Sequence, residues 1–204
     1  MKTRYVMQLD LRSRLEQPAH AARNPRLEER EPLAHLMLAA YRSATDDEGE
    51  TITEALQEVD NVLVSANRPF IPEASFVIEV DAALASASLV SLFRGAPLVT
   101  HVMTHPHYKR RGLGASALLS SANALREQGW SSLSLYVTDS NGPALALYRK
   151  LGFQTTSTVT VSAAAASGLN LPRCAAPRRP IDHQAMMRPS PPALKRADTL
   201  SSRS

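Results

Sequence analysis

The sequence contains a single cysteine, Cys174, among its 204 residues. One cysteine cannot form a disulfide within the chain, so we expect the protein to work in the reducing cytoplasm. Long hydrophobic runs are also missing, because no stretch approaches the ~18–20 apolar residues that a membrane span needs. The N-terminal segment lacks the uninterrupted apolar core of a secretory signal peptide. These absences predict a cytoplasmic protein that does not associate with a membrane.

Aromatic residues make up only 5% of the chain, and none lies in residues 162–204. This segment holds six of the fourteen prolines, and its seven Arg and Lys residues exceed its two Asp residues by five charges. Since the whole chain carries +4, residues 1–161 carry −1. The composition predicts a folded domain at 1–161 and a disordered basic tail at 162–204. The positive charge belongs to the tail, so a nucleic acid is not an expected partner.

Apolar periodicity predicts the elements of residues 1–161. Helical spacing occurs in residues 32–43, 52–66, 113–128 and 141–151, and a capping-box pattern at Thr51 and Glu54 opens the second helix. Strand-length runs occur at residues 5–11, 75–80, 85–95, 96–104, 131–138 and 152–161. Their order predicts an α/β sheet that is antiparallel early and has parallel pairing around residues 109–114.

The stretch "HPHYKRRGLGAS" places three cations directly before two glycines at the start of a predicted helix. Backbone N–H groups at a helix N-terminus, approached through glycine and flanked by cations, are suited to a phosphate. A P-loop is excluded, since no GxxxxGK[ST] pattern is present. The string "GLGASA" formally matches a dinucleotide fingerprint, which would indicate an NAD- or NADP-binding oxidoreductase. Against this alternative, seven residues separate the apolar strand from the first glycine, and no acidic residue follows at the expected strand end.

A second motif, "TDSNGPALALYRKLGFQ", places Asn141 at a helix cap, Pro143 in the first turn and Tyr148 two turns later on the same face. With "VMTHPHYKRRGLGASALL", it resembles the GNAT superfamily of acetyl-CoA-dependent N-acetyltransferases over about residues 75–154. The resemblance implies an α/β fold: a mixed, mostly antiparallel twisted sheet with splayed central parallel strands, flanked by helices on both faces. One departure is Lys109, where the family usually has Gln or Arg; a lysine keeps the charge but lacks the planar fork of arginine.

The resemblance also implies an acyltransferase that moves an acetyl group from acetyl-CoA to a primary amine of an unidentified acceptor. Tyr148 would be the general acid that protonates the departing thiolate, and Asn141 would contact the cofactor or order the loop beside it. Backbone groups of the fourth strand would bind the pantetheine arm, with a main-chain N–H near Val102 or Met103 polarising the thioester carbonyl. The implied cofactor-binding positions on this strand are Val102, Met103 and Thr104. Those of the pyrophosphate loop are Lys109, Arg110, Arg111, Gly112, Leu113, Gly114 and Ala115.

The acceptor side is less defined by sequence. Glu79 and His101 are the candidates for a general base, with Glu79 preferred. The acidic residues Asp46, Asp47, Glu48 and Glu50 lie between the first two helices and are candidates for attracting a cationic amine, or for capping and solvating a loop.

Three histidines near the end of the fourth strand raise the question of a metal site. His101, His105 and His107 are spaced as a metal site would be, but Pro106 indicates that the strand ends first, so no metal is expected. A non-catalytic CoA-binding sensor, with the basic tail as an interaction arm, remains an alternative to the enzyme. The oligomeric state is not readable from the sequence.

Overall fold

The computed structural model describes residues 2–42 and 49–161, which form six strands and four α-helices. The strands are β1 (Lys2–Asp10), β2 (Phe76–Val80), β3 (Ala83–Phe93), β4 (Ala96–Thr104), β5 (Ser132–Thr138) and β6 (Gln154–Val161). The helices are α1 (Arg30–Tyr41), α2 (Ile52–Val64), α3 (Leu113–Glu127) and α4 (Gly142–Lys150). Every helix and strand predicted from periodicity is present, with small differences at the ends. The predicted tail at 162–204 lies outside the described residues.

All six strands belong to one sheet with the order β2-β3-β4-β5-β1-β6. The β4–β5 pair is parallel, and the other neighbouring strands pair antiparallel. The turn after β2 is a tight reversal in which Asp81 and Ala82 both have positive φ, at 52° and 60°. Left-handed central residues match the twist of a two-residue hairpin. The predicted mixed, mostly antiparallel fold is confirmed.

The two central parallel strands separate soon after they meet. Only Leu98↔Ser134 and Val99↔Leu135 pair across them. Thr100 is an extra residue in β4, since Leu89 of β3 lies opposite His101 while Val90 lies opposite Val99. Such a bulge bends the strand and increases its twist. Beyond it β4 stays paired with β3 and β5 stays paired with β1, which leaves a gap between β4 and β5.

Strand β1 lies between β5 and β6, a position that the sequence patterns did not specify. It pairs antiparallel with β5 from Arg4↔Thr138 to Asp10↔Ser132, and with β6 from Lys2↔Val161 to Gln8↔Gln154. Met7, in the middle of β1, is fully buried. The N-terminal strand therefore joins the last strand to the rest of the sheet.

Helices cover both faces of the sheet. Alternate residues of β3 face opposite sides, as the pleat requires. Ala87 and Leu89 share a core cluster with α1 and α2. Between them, Ser88 accepts a hydrogen bond of 2.9 Å from Ser121 of α3. Therefore α3 packs against the face opposite α1 and α2. No helix in the described part of the chain is long and apolar enough to cross a membrane.

Candidate active site

A cavity of about 670 Å³ opens where β4 and β5 separate. Its walls are residues 98–102 of β4, residues 135–138 of β5, and side chains from α1, α2 and α4. It therefore includes the sheet gap and the space beneath three helices. A second depression of about 740 Å³ lies over the far end of β1, near Asp10 and Gly152, and is lined by none of the sequence-predicted site residues. The cavity at the gap between β4 and β5 is therefore the candidate active site.

Helix α4 places Tyr148 and Asn141 on this cavity. Asn141 precedes the helix and its side-chain oxygen accepts a 3.2 Å hydrogen bond from the Ala144 N–H, which caps the first turn. Two turns later Tyr148 is 8% exposed and packs on Phe153, with ring centroids 5.8 Å apart. Both residues line the cavity, as their shared helix face predicts. The site thus contains a phenolic hydroxyl held by a buried ring.

The loop before α3 has the backbone shape of an anion cradle. Arg110 and Gly112 both adopt the left-handed conformation, with φ of 63° and 81°. Gly112 is the N-cap of α3 and supplies no side-chain acceptor, so the first N–H groups of the helix lack a side-chain cap. Lys109, Arg110 and Arg111 add positive charge beside them. Backbone N–H groups and cations in this arrangement are suited to an anion such as a phosphate.

Close packing between α3 and β4 accounts for the second glycine of the loop. A Cβ atom at Gly114 would lie 3.0 Å from the Thr104 hydroxyl oxygen and 3.8 Å from a Val102 methyl carbon. A side chain there would require the Thr104 hydroxyl, which lies 2.9 Å from Ser86 Oγ, to shift by a few tenths of an ångström. The start of α3 is therefore closely packed against the end of β4, although the loop itself does not line the cavity.

The segment between β1 and α1 crosses the start of α3 and contacts the loop. His20 Nε2 lies 2.8 Å from the Arg111 carbonyl oxygen, which fixes it as a donor in that contact. The Ser116 hydroxyl accepts from the backbone N–H groups of Ala19 and His20, each at 3.2 Å. Sequence patterns gave no reason to place this segment on the loop, because the contacts join residues about 90 positions apart.

His101 lies on β4 beneath α1 and α2 and is 3% exposed. Burial, with a smaller contribution from the positive charge of Arg68, lowers the pKa of its imidazole to about 4, so it is neutral at pH 7. The Tyr41 hydroxyl lies 3.4 Å from Nδ1, and Glu58 Oε1 lies 3.5 Å from Nε2. Glu58 alone would favour the charged imidazole, but burial and Arg68 outweigh it.

Glu58 is a site residue that the sequence patterns did not single out. Its side chain is 14% exposed and lines the cavity. The sequence did contain a pattern that indicates Glu58. Ala55, Val59 and Val62 form the buried stripe of α2, and Glu58 falls on that stripe at helical spacing. A carboxylate in a stripe of apolar residues indicates either a buried partner or a functional role.

The remaining predicted residues are distributed as follows. Glu79 lies on β2, where it forms an ion pair with Arg23, and it does not line the cavity. Arg23 also binds Glu29, and its hydrogen bond lowers the pKa of Glu79. Glu50 does line the cavity. Asp46, Asp47 and Glu48 lie outside the described residues. The structure therefore brings His101, Glu50 and Tyr148 to one cavity and leaves Glu79 elsewhere.

The structure also shows where the fourth-strand and histidine candidates lie. Val102 lines the cavity, whereas Met103 points into the core beneath α1 and α2. Strand β4 ends at Thr104, and His105 is the N-cap of a short 3₁₀ helix. Across residues 2–42 and 49–161, no group of three or more His, Cys, Asp or Glu side chains is placed to hold a metal ion.

Comparison with known proteins shows which family the chain resembles. The family described as "Acetyltransferase (GNAT) family" matches residues 31–153, more than half of the chain. A mycothiol acetyltransferase from Saccharomonospora viridis is 41% identical over 68 residues, which cover 32% of this chain and 22% of that protein. The chain therefore spans only about a fifth of this relative.

Two solved structures share the fold. A GCN5-related N-acetyltransferase from Sphaerobacter thermophilus superposes with a TM-score of 0.62 at 17% identity, covering 77% of this chain and 49% of that one. The PaiA N-acetyltransferase from Thermoplasma acidophilum, solved in complex with coenzyme A, gives a TM-score of 0.52 at 16% identity, covering 66% and 89% of the two chains.

Proposed function

Because the chain belongs to the acetyltransferase (GNAT) family, we propose that it transfers an acetyl group from acetyl-CoA to a primary amine of an acceptor. The observation that carries the proposal is the gap between β4 and β5, which opens into a cavity bearing the Tyr148 side chain. The single cysteine supports a cytoplasmic site for the reaction.

The gap supplies backbone groups for an extended substrate arm. Past the bulge at Thr100, the edge of β4 that faces β5 has no strand partner among residues 2–42 and 49–161, so its N–H and C=O groups are available to pantetheine amides. A main-chain N–H near Val102 or Met103 would donate to the thioester carbonyl oxygen and stabilise the negative charge that develops there. The loop at residues 109–115 would hold the pyrophosphate through its N–H groups and cations.

Tyr148 would complete the transfer by protonating the leaving group. The acceptor nitrogen forms a bond to the carbonyl carbon, and the carbon–sulfur bond breaks. The Tyr148 hydroxyl gives its proton to the sulfur and regains one from the nitrogen as the amide forms. A thiol with a pKa near 8.5 is a moderately good leaving group, so this acid assists the reaction without controlling it entirely.

The oxidoreductase alternative lacks support in the fold. A dinucleotide-binding domain uses an open, mostly parallel sheet with helices alternating between its faces. Here β4 and β5 form the one parallel pair among the described strands, and the other neighbours are antiparallel. The match of "GLGASA" to the fingerprint therefore reflects a phosphate-binding helix start of another kind.

The nature of the cavity favours a cationic acceptor. Glu50, Glu54 and Glu58 all line it on the side of α2. Several carboxylates at one wall attract an ammonium group and raise its local concentration. A polyamine or a peptide N-terminus fits this requirement, and both present a primary amine.

The proposal is tested by thermal unfolding and by thiol release. Acetyl-CoA and CoA at about 100 times their Kd should each stabilise the fold by about 2.7 kcal/mol, while NAD and NADP should not. Free thiol should then appear from acetyl-CoA in the presence of spermidine or a short peptide. CoA binding without thiol release from any primary amine would identify a sensor, and stabilisation by NAD alone would refute the proposal.

The loop assignment has its own matched pair of variants. Arg110→Glu with Arg111→Glu should weaken CoA binding in a salt-dependent way, because two cations beside the pyrophosphate become anions. Arg149→Glu with Lys150→Glu changes the net charge equally at exposed positions of α4 and should leave the Kd within about twofold. Equal Kd values for CoA in the two variants would contradict the assignment.

A further inference from the structure

Glu58 occupies a position that its helix would otherwise fill with an apolar side chain. The buried stripe of α2 contains Ala55, Val59 and Val62, and Glu58 lies on the same face. Burying a carboxylate is costly unless its charge is compensated. Its Oε1 atom is buried and makes no hydrogen bond within the described residues. A stability role alone does not account for this choice of residue.

The imidazole of His101 lies close to that oxygen. Nε2 of His101 is also buried without a hydrogen bond among the described residues, and it lies 3.5 Å from Glu58 Oε1. On the other side of the ring, the Tyr41 hydroxyl is 3.4 Å from Nδ1. If Tyr41 donates to Nδ1, the imidazole proton resides on Nε2 and is directed towards Glu58. Helices α1 and α2 and strand β4 thus meet in a chain of three polar groups.

These groups belong to the same cavity as Tyr148. Glu58, His101, Tyr41 and Tyr148 all line it, together with the sheet gap. The other charged or titratable side chains that face it are Arg4 of β1, Glu50 and Glu54 at the start of α2, Arg68 after α2, and Tyr136 of β5. A base for the acceptor must lie in this cavity, since that is where the gap and Tyr148 open.

We infer that Glu58 is the carboxylate that takes the proton from the acceptor's ammonium group, and that His101 is the positioning residue that orients it. This inference rests on the proposed acetyl transfer and names its general base. The step moves one proton from R–NH₃⁺ to Glu58, giving R–NH₂ and a neutral carboxyl. The free amine then attacks the thioester, and Glu58 later releases its proton to solvent.

The charge balance of the cavity suits this role. Burial raises the pKa of Glu58, and a hydrogen bond with Asn61 and the positive Arg68 oppose that rise. A base whose pKa is raised towards the working pH accepts a proton more readily. His101, neutral at pH 7, is a weaker base and a suitable donor to the carboxylate. Glu79, paired with Arg23 on β2, is in neither position.

The test compares Glu58→Gln with Asp60→Asn, a matched change of a carboxylate to an amide on the same helix. Asp60 pairs with Arg30 near the surface and lies outside the cavity. At pH 7 we expect Glu58→Gln to lower the rate of thiol release from acetyl-CoA with spermidine by about 10²-fold or more. Asp60→Asn should match the wild type, and Glu58→Asp should recover part of the rate.

The pH profile distinguishes a base from a residue that only binds the amine. In the wild type kcat/KM should level off above the pKa of Glu58. In Glu58→Gln only the free amine reacts, so kcat/KM should rise about tenfold per pH unit towards the pKa of the amine, near 10. A raised KM with an unchanged kcat and an unchanged profile would overturn the role of Glu58.

Two controls separate this inference from the proposed function. If the wild type binds CoA but releases no thiol with any primary amine, both are refuted together. If thiol release proceeds normally in Glu58→Gln, only the inference fails. A ¹⁵N NMR spectrum of His101 at pH 7 should show the neutral ring with its proton on Nε2, and a proton on Nδ1 would overturn the positioning role.

Discussion

Tyr148 is the residue on which the proposed chemistry depends most directly. Its ring is buried against Phe153, while its position on α4 faces the gap between β4 and β5. The Asn141 cap fixes the start of the helix, so the tyrosine is presented from a rigid element. In the proposed reaction this hydroxyl protonates the sulfur of a thioester that lies in the gap, so removing one oxygen atom from Tyr148 tests the role.

We expect Tyr148→Phe to lower kcat for acetyl transfer by roughly 10²-fold, because the variant removes the proton donor and keeps the ring. The Kd for CoA, measured by calorimetry, should stay close to the wild-type value. Tyr5→Phe removes a hydroxyl from β1, outside the cavity, and should leave kcat unchanged. An unaltered kcat in Tyr148→Phe would remove the tyrosine from the mechanism.

At the scale of elements, strand β1 connects two strands that would otherwise not be neighbours in the sheet. It pairs with β5 on one side and β6 on the other, whereas the family match begins only at residue 31. Without β1, the backbone edges of β5 and β6 would be exposed, and unpaired edges promote aggregation. Since β5 forms one side of the gap, β1 also supports one wall of the candidate active site.

We expect Met7→Ala to destabilise the fold by about 2–5 kcal/mol, because Met7 is fully buried at the centre of β1. The free energy of unfolding, measured with urea, provides the readout. Gln8→Ala, at the next and exposed position, should cost no more than about 0.5 kcal/mol. Similar losses in the two variants would mean that β1 is not anchored through its buried face.

At the scale of the whole molecule, the main electrostatic feature is a buried polar group beneath α1 and α2. His101 has a pKa of about 4 in the folded state against an ordinary value of 6.5. Between pH 6.5 and 4, this residue is protonated in the unfolded chain but remains neutral in the folded chain. Stability is therefore fully present above pH 6.5 and is lost as the pH falls towards 4. Ion-paired carboxylates such as Glu29, whose pKa is lowered mainly by Arg23, make stability depend on pH only below about pH 4.5.

We expect the free energy of unfolding to decrease between pH 6.5 and 4, with a slope that approaches about 1.4 kcal/mol per pH unit. The raised pKa of Glu58 works in the opposite direction just above its ordinary value of 4.5, so the slope should lessen there. His101→Gln should flatten the dependence, while His35→Gln, at an exposed position of α1, should preserve it. Urea titrations at several pH values would measure both slopes.

Much of the fold, and the positions of several candidate site residues, could be predicted from local patterns. The 3.6-residue periodicity of α2 and the capping box at Thr51 and Glu54 gave its first residue correctly. Alternation gave β4 its exact bounds. The glycines of the basic loop predicted the start of α3, and the spacing from Asn141 to Tyr148 predicted the face of α4 on which Tyr148 lies, because these depend on neighbours a few positions away.

The sequence by itself determined the elements and the family, and it predicts the cofactor half of the site, since propensity, capping and short motifs act over one or two turns of chain. Only the tertiary structure decided that β1 fills the sheet between β5 and β6, that Glu79 pairs with Arg23 away from the cavity, and that Glu58 meets His101. These outcomes depend on side chains and strand edges that are 43 to 159 residues apart in the chain. Local patterns contain no information about which distant groups will share a buried space.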